Sequence, residues 1–187
     1  DKNLMARVAT EAGISESHIV DLPEHAYKMR GFFDKLFGRR RSAAEAWTET
    51  KAPQTLPVEA LDEARSVNLI KDTILEAHKH DNVVIVGRGG QAILREQPGV
   101  LHVRIIAPLG ARVLHVKSAE NIGLDEATAQ VKRKDEAAAA YLERFYDIDW
   151  DNPMLYHLII NTGKWEIEDA VQIVLTALAH LRMVVNQ

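Results

Sequence analysis

The chain has 187 residues, 47% of them hydrophobic and 27% charged, with a formal net charge of −4, the balance of one globular domain long enough to bury a core. Its mild acidity gives no general drive toward DNA, RNA or anionic membranes, and the absence of cysteine excludes disulfides and thiolate metal sites. No run approaches the roughly eighteen apolar residues of a membrane span and no signal-peptide pattern opens the chain, so the cytoplasm is the default location and neither nucleic acid nor membrane is expected as a partner.

The opening "DKNLMARVATEAGIS" reads as the middle of a longer sequence. Leu4, Met5, Val8 and Ala9 recur at helical spacing and predict a helix over 3–12 closed by Gly13. Ser15 in "ISESHI" offers an N-cap for a second short helix. "HAYKMRGFFDKLFG" carries Phe32, Phe33, Leu36 and Phe37 on a helical pattern interrupted by Gly31. The polar "GRRRSAAEAWTETKAPQTLP" that follows is closed by prolines, so residues 31–57 are expected to form a mobile insertion. Its arginines at 39–41 either meet a phosphate or form a solvated charge run.

From Val58 to His80 the periodicity is helical, with Ala60, Leu61, Ala64, Val67, Ile70, Ile74 and Ala77 on one face. "NVVIV" is a short continuous apolar run of the kind buried in a parallel sheet, and "LHVRIIAP" is another, ended by Pro108. "ARVLHVKSA" and "DEATAQVKRKDEAAAAYLERFY" predict helices, "LYHLIINT" a third strand, and "EIEDAVQIVLTALAHL" a last helix with Ile167, Val171, Val174, Leu178 and Leu181 inward. Alternating helix and strand argue an α/β fold with a parallel sheet in a single domain spanning residues 1–187.

The chemistry-bearing stretch is Gly87, Arg88, Gly89 and Gly90, which falls where the "NVVIV" strand ends. In open parallel sheets ligands sit beyond the carboxyl ends of the strands. Glycines there admit positive φ and close approach of a ligand, and an arginine offers a planar fork of donors suited to phosphate oxygens. One reading is therefore a phosphate contact by Arg88; the other is a glycine-rich turn whose arginine pairs with a surface carboxylate. The dinucleotide fingerprint G-x-G-x-x-G is absent, and the eight histidines show no metal-ligand spacing.

"VVIVGRGGQAIL", "VLHVRIIAPLGARV", "ATAQVKRKDEAAAAY" and "IDWDNPMLYHLIINT", in that order and spacing, resemble the cytidylate-kinase-like group of the P-loop nucleoside monophosphate kinase superfamily. The likeness covers essentially the whole chain and is most specific over 82–162. It implies a three-layer fold: a five-stranded parallel sheet with helices on both faces and a small helical lid, here around 124–152. It also implies phosphoryl transfer from ATP, with Mg²⁺ held mainly by the nucleotide's phosphates, to a nucleotide or other small phosphorylatable acceptor, in a protein that could be a homodimer. Carried over residue by residue, Arg88 with Gly87, Gly89 and Gly90 would bind the acceptor phosphate. Arg112, Lys132 and Lys134 would face the donor nucleotide, and Arg133 with Asp135 would serve catalysis. On their own, Arg112 could be solvated in a first helical turn, and Lys132 to Lys134 could form a solvated face with i,i+4 pairs. Trp150 and Tyr156 read as core or lid packing rather than base-stacking groups.

The chain departs from the family pattern in three places. It holds no G-x-x-x-x-G-K-[ST] phosphate loop. The resemblance places that loop upstream of Asp1, after a strand that is central in the sheet. Without that strand the sheet would be left as two halves with unpaired edges, so an upstream segment or a partner's strand is expected to fill the gap. The family's lid arginine, three residues after the aspartate, is Ala138 here, while Tyr141 matches the family's tyrosine; Arg133 could substitute, whereas Arg144 points to a different side of the helix from Ala138 and is a poor local replacement. The aspartate usual in the last strand is His157, which puts cytidine preference in question. Two readings stand: an ATP-dependent phosphotransferase, or a catalytically impaired kinase-derived domain that binds a nucleotide or effector or dimerises.

Overall fold

The computed structural model describes residues 2–14, 19–21 and 58–185. The expected insertion at 31–57 and the aromatic segment before it lie outside the described residues, as do the arginines at 39–41.

Helix α1 (Lys2–Glu11) buries Leu4, Val8 and Ala9, one stripe at i, i+4 and i+5. It ends where Gly13 turns left-handed at φ 71°, letting the Ile14 N–H donate to the Ala9 carbonyl at 2.8 Å. Strand β1 (Ile19–Asp21) follows. Here the expectation of a second short helix capped by Ser15 is corrected over 19–21: Ile19, Val20 and Asp21 pair in parallel with Val84, Ile85 and Val86. A three-residue stretch carries too little periodicity to oppose a ladder offered by a distant strand.

Helix α2 (Val58–Lys79) places Ile70, Ile74 and Ala77 against Leu94, with Val83, Ile85, Ile93 and Val100 around them. Asp81 and Asn82, both at positive φ, turn the chain into strand β2 (Val84–Val86). A single turn of helix, α3 (Gly90–Ile93), leads on to strand β3 (Val103–Ile106). Helices α4 (Leu109–Glu120) and α5 (Leu124–Tyr146) form a hairpin with its own core of Val113, Ala127 and Val131. Asp125 and Glu126 suit the positive end of the α5 dipole, and Asp147 at φ 53° ends the helix. A 3₁₀ turn at Pro153–Leu155 precedes strand β4 (Leu158–Asn161) and the last helix α6 (Ile167–Val185).

Strands β3 and β4 pair in parallel, with Val103 opposite Leu158 and Ile106 opposite Asn161. Alternation puts Val103, Ile105, Leu158 and Ile160 on one face, where Leu4 and Val8 of α1 and Ala170, Val171 and Val174 of α6 cover them. Among the described residues the strands thus form two parallel pairs, β1–β2 and β3–β4, that are not hydrogen-bonded to each other. Between them lies a cavity of about 900 Å³, lined by Val83 to Val86 on one side and Leu101 to Ile105 on the other. No described helix is long and apolar enough to cross a membrane.

A pair of histidines staples β3 to β4. The His102 backbone N–H donates to Nδ1 of His157 at 3.0 Å, and the His102 carbonyl accepts from the His157 and Leu158 amides. The two rings stack at 5.2 Å and 14°. His102 is buried and its Nε2 donates to the Leu94 carbonyl at 3.2 Å. Burial lowers its pKa below the ordinary 6.5; the Leu94 carbonyl partly opposes this and the neighbouring His157 adds to it. The folded protein therefore binds this proton less readily than the unfolded chain. The His102 contribution to stability is fully present above pH 6.5 and declines as the pH falls through that value. The melting temperature should drop between pH 7 and 5, and His102→Gln, which keeps a donor and removes the titration, should flatten that drop.

Candidate functional site

Where β2 ends, three successive residues take left-handed φ values: Gly87 at 69°, Arg88 at 55° and Gly89 at 77°. Arginine in that region costs about 1–2 kcal/mol relative to its preferred conformations, so the turn holds its shape by what surrounds it. The Gly90 amide donates to the Gly87 carbonyl at 3.1 Å, and those of Ala92 and Ile93 donate to the Gly89 carbonyl at 2.8 and 2.9 Å. Gly89 and Gly90 are buried, Arg88 is half-buried, and all four residues of the turn line the 900 Å³ cavity.

Helix α5 closes the cavity from the other side with Lys134, Ala137, Ala138, Tyr141, Leu142 and Phe145, positions that share one helical face. Of the three consecutive lid cations, Lys134 lines the cavity, while Lys132 and Arg133 are exposed and do not. Lys134 also lies 3.8 Å from Glu120. Ala138, standing where the family's lid arginine is expected, points a methyl into the cavity one turn from Lys134.

Arg112 and Asp135 meet across the α4–α5 hairpin. Arg112 Nη1 donates to Asp135 Oδ1 at 2.7 Å and Nε donates to the Ala107 carbonyl at 3.1 Å. The hydrogen bond to Asp135 raises the guanidinium pKa still further, so the pair keeps its positive member charged at any pH the protein meets. Neither residue lines the cavity. The structure thus gathers Arg88, its glycines and Lys134 at one cavity, joins Arg112 to Asp135, and leaves Lys132 and Arg133 exposed on α5 away from the cavity lining.

A further cluster stands beside the turn. Arg104 projects from β3 with its side chain 14% exposed. Its Nη1 donates to the Trp150 carbonyl at 2.8 Å, and its Nη2 pairs with Asp151. The guanidinium carbon lies 4.9 Å from the Trp150 ring centre and 5.6 Å from that of Tyr156, a cation held between two aromatic faces. The Tyr156 hydroxyl donates to the Trp150 carbonyl at 3.2 Å, and burial raises its pKa. Trp150 and Tyr156 therefore clamp Arg104 and tie β3 to the base of the lid. The one signal for this in the sequence is an arginine at an inward position of "VRII", an apolar strand. Likewise the histidine at 157 turns its Nδ1 to the His102 amide and is not among the cavity-lining residues. No three acidic or histidine side chains cluster as metal ligands among the described residues.

Three comparisons bear on this arrangement. The model of the family described as "Cytidylate kinase-like family" matches residues 1–164. A cytidylate kinase of Methanocaldococcus jannaschii is 31% identical over 111 residues, 58% of this chain and 62% of that protein. One of Archaeoglobus fulgidus is 27% identical over 160 residues, 82% of this chain and 88% of that one. The chain spans less than two thirds of several such relatives, 62% for the Methanocaldococcus enzyme and 55% for one of Pyrococcus horikoshii. A solved structure of an uncharacterized protein from Eubacterium ventriosum ATCC 27560 shares the fold, with a TM-score of 0.64 over 96% of this chain and 91% of that one, at 18% identity.

Replacing Arg104 by lysine keeps the charge but loses the fork that reaches both Trp150 and Asp151. Arg104→Lys should lower stability by about 0.5–1.5 kcal/mol, the net worth of one hydrogen bond, since the Trp150 carbonyl keeps the Tyr156 hydroxyl and the Asp151 side chain is exposed. A red-shifted tryptophan emission should accompany it, and a variant with unchanged melting and fluorescence would contradict the clamp.

Proposed function

We propose a function from one premise: this chain belongs to the cytidylate kinase-like family, whose model matches residues 1–164. In our reading the protein is an ATP-dependent phosphotransferase acting in the cytoplasm on a nucleoside monophosphate or another small phosphorylatable acceptor. The observation that carries this is Arg88, held on a left-handed turn where β2 ends and opening on a 900 Å³ cavity whose far wall carries Lys134.

The space between β2 and β3 supports a fifth strand. Two strand edges flank one cavity, and a parallel sheet buried by helices leaves no such edge open. A parallel strand placed there would join the pairs into one five-stranded sheet with helices on both faces. Its carboxyl end would fall next to the Arg88 turn, where a glycine-rich loop could present backbone amides to a triphosphate.

Arg88 then binds the acceptor's phosphate through its planar fork, and the glycines beside it let the phosphate approach the backbone. Arg112, oriented by Asp135, faces the donor nucleotide. Closure of the α4–α5 hairpin brings Lys134, Lys132 and Arg133 over the phosphates, with Arg133 stabilising charge on the transferring group. Bound with ATP, Mg²⁺ would neutralise the phosphates and hold them in line.

One observation favours the second reading, a domain that binds nucleotide without efficient transfer. Ala138 faces the cavity where a guanidinium would stabilise the transferring phosphoryl group. Ala138→Arg should then raise phosphoryl transfer from ATP to cytidine 5′-monophosphate by at least tenfold, and an unchanged rate would remove position 138 from the account.

The main test is differential. Millimolar ATP with Mg²⁺, and separately cytidine 5′-monophosphate, should each raise the melting temperature of the intact protein. Arg88→Ala should weaken monophosphate binding by roughly 10- to 100-fold, the worth of hydrogen bonds to a charged group, and leave ATP binding near normal. Absence of any shift with either nucleotide would remove both readings, and equal loss of both in Arg88→Ala would make Arg88 a structural residue.

A further inference from the structure

The Arg88 turn does not stand alone. Gly89 is buried, and a Cβ built on it would lie 2.6 Å from Cε2 of Tyr146, 3.0 Å from Cζ and 3.1 Å from Cδ2. Those separations are too short for any side chain, so the Tyr146 ring occupies the space a larger residue at 89 would need. Tyr146 is the last residue of α5. Its ring meets Tyr141 edge-on at 5.9 Å and 65°, and Tyr141 leans on Phe145 at 5.1 Å. Tyr141 and Phe145 line the same cavity as Arg88. The carboxyl end of the lid helix is thus an aromatic pad pressed on the turn.

The hydroxyls sharpen the point. Those of Tyr141 and Tyr146 are both buried and reach no partner outside their own pair, and burial first, with the Tyr141 hydroxyl beside it second, drives the Tyr146 phenol pKa well above its ordinary value. A hydroxyl buried with so few partners adds little to folding. What Tyr146 contributes to the turn is therefore its ring. The turn needs that support, because Arg88 at φ 55° sits between two left-handed glycines with little intrinsic reason to stay there.

We propose that Tyr146 is a positioning residue: its ring is the backstop that fixes the Gly87–Gly89 turn, sets the Arg88 guanidinium for the acceptor's phosphate, and makes glycine obligatory at 89. Through it the pose of the lid helix is coupled to acceptor capture. The inference rests on the reading of Arg88 as the acceptor-phosphate ligand.

The experiment is a calorimetric titration of the intact protein with cytidine 5′-monophosphate and, separately, ATP with Mg²⁺. Tyr146→Leu should lose about tenfold in monophosphate affinity while keeping ATP affinity. In an Arg88→Ala background the same change should alter monophosphate affinity less than about twofold, since a residue acting through Arg88 has nothing left to position. Tyr146→Phe should restore the affinity, because it keeps the ring. Tyr146→Met, which fills the space with a flexible chain in place of a flat ring, should give the same selective loss, so the test stands even if Tyr146→Leu does not fold. Equal loss of both nucleotides, full additivity with Arg88→Ala, or failure of Tyr146→Phe to restore binding would overturn the proposal. If Arg88→Ala itself leaves monophosphate affinity unchanged, the acceptor reading has failed, and amide exchange decides the backstop separately. Tyr146→Leu should speed exchange at Gly90, Ala92 and Ile93, whose amides close the turn; unchanged exchange there would overturn it.

Discussion

Everything about this protein is organised around two strand edges that face each other without touching. β2 pairs outward with β1 and β3 pairs outward with β4, so among the described residues each carries a row of backbone groups turned toward the cavity between them. Backbone amides and carbonyls are obligatory hydrogen-bonding groups, and native folds leave very few of them buried and unmet. The same cavity ends at the Arg88 turn and under the lid helix. The two unjoined strand edges and the proposed binding site therefore share one cavity.

Around that constraint the molecule divides its work. α1 and α6 cover one face of the β3–β4 pair, and α2 packs beside β2, each by burying an apolar stripe. The α4–α5 hairpin carries its own small core. It is tied to the rest at defined points: Arg112 on the Ala107 carbonyl at its mouth, the Arg104 clamp on Trp150 and Tyr156 at its base, and Tyr146 against Gly89. Cations on the hairpin are distributed unevenly, with Lys134 toward the cavity and Lys132 and Arg133 outward. Closure must reorient the hairpin if the outer pair is to meet a phosphate.

Much of this was readable from the residues. The continuous apolar runs at "NVVIV" and "VRII" are strands, the glycine-rich turn does end the first of them, and helix periodicity located α1, α2, α5 and α6 to within a few residues. Those are local signals: side-chain period, turn glycines, a proline after β3. β1 was missed because three residues carry no period and its structure comes from pairing with a strand 65 positions away, as Ile19 with Val84 shows. The Arg104 clamp, the His102–His157 staple and the Tyr146–Gly89 contact join residues 46, 55 and 57 positions apart. No window of sequence holds both partners of any of these. His157 illustrates the cost: the family resemblance marks it as an altered substrate position, and only the fold shows that it also accepts the His102 amide.

The central claim is that the Arg88 cavity captures a small acceptor by its phosphate. The most direct measurement is a paired titration of the intact protein with cytidine 5′-monophosphate and with cytidine, which differ by the phosphate alone. The account predicts that the monophosphate binds at least about tenfold tighter, the worth of a charge-assisted contact, and that Arg88→Ala abolishes the difference. Equal affinity for the two, or a phosphate preference that survives loss of Arg88, would contradict it.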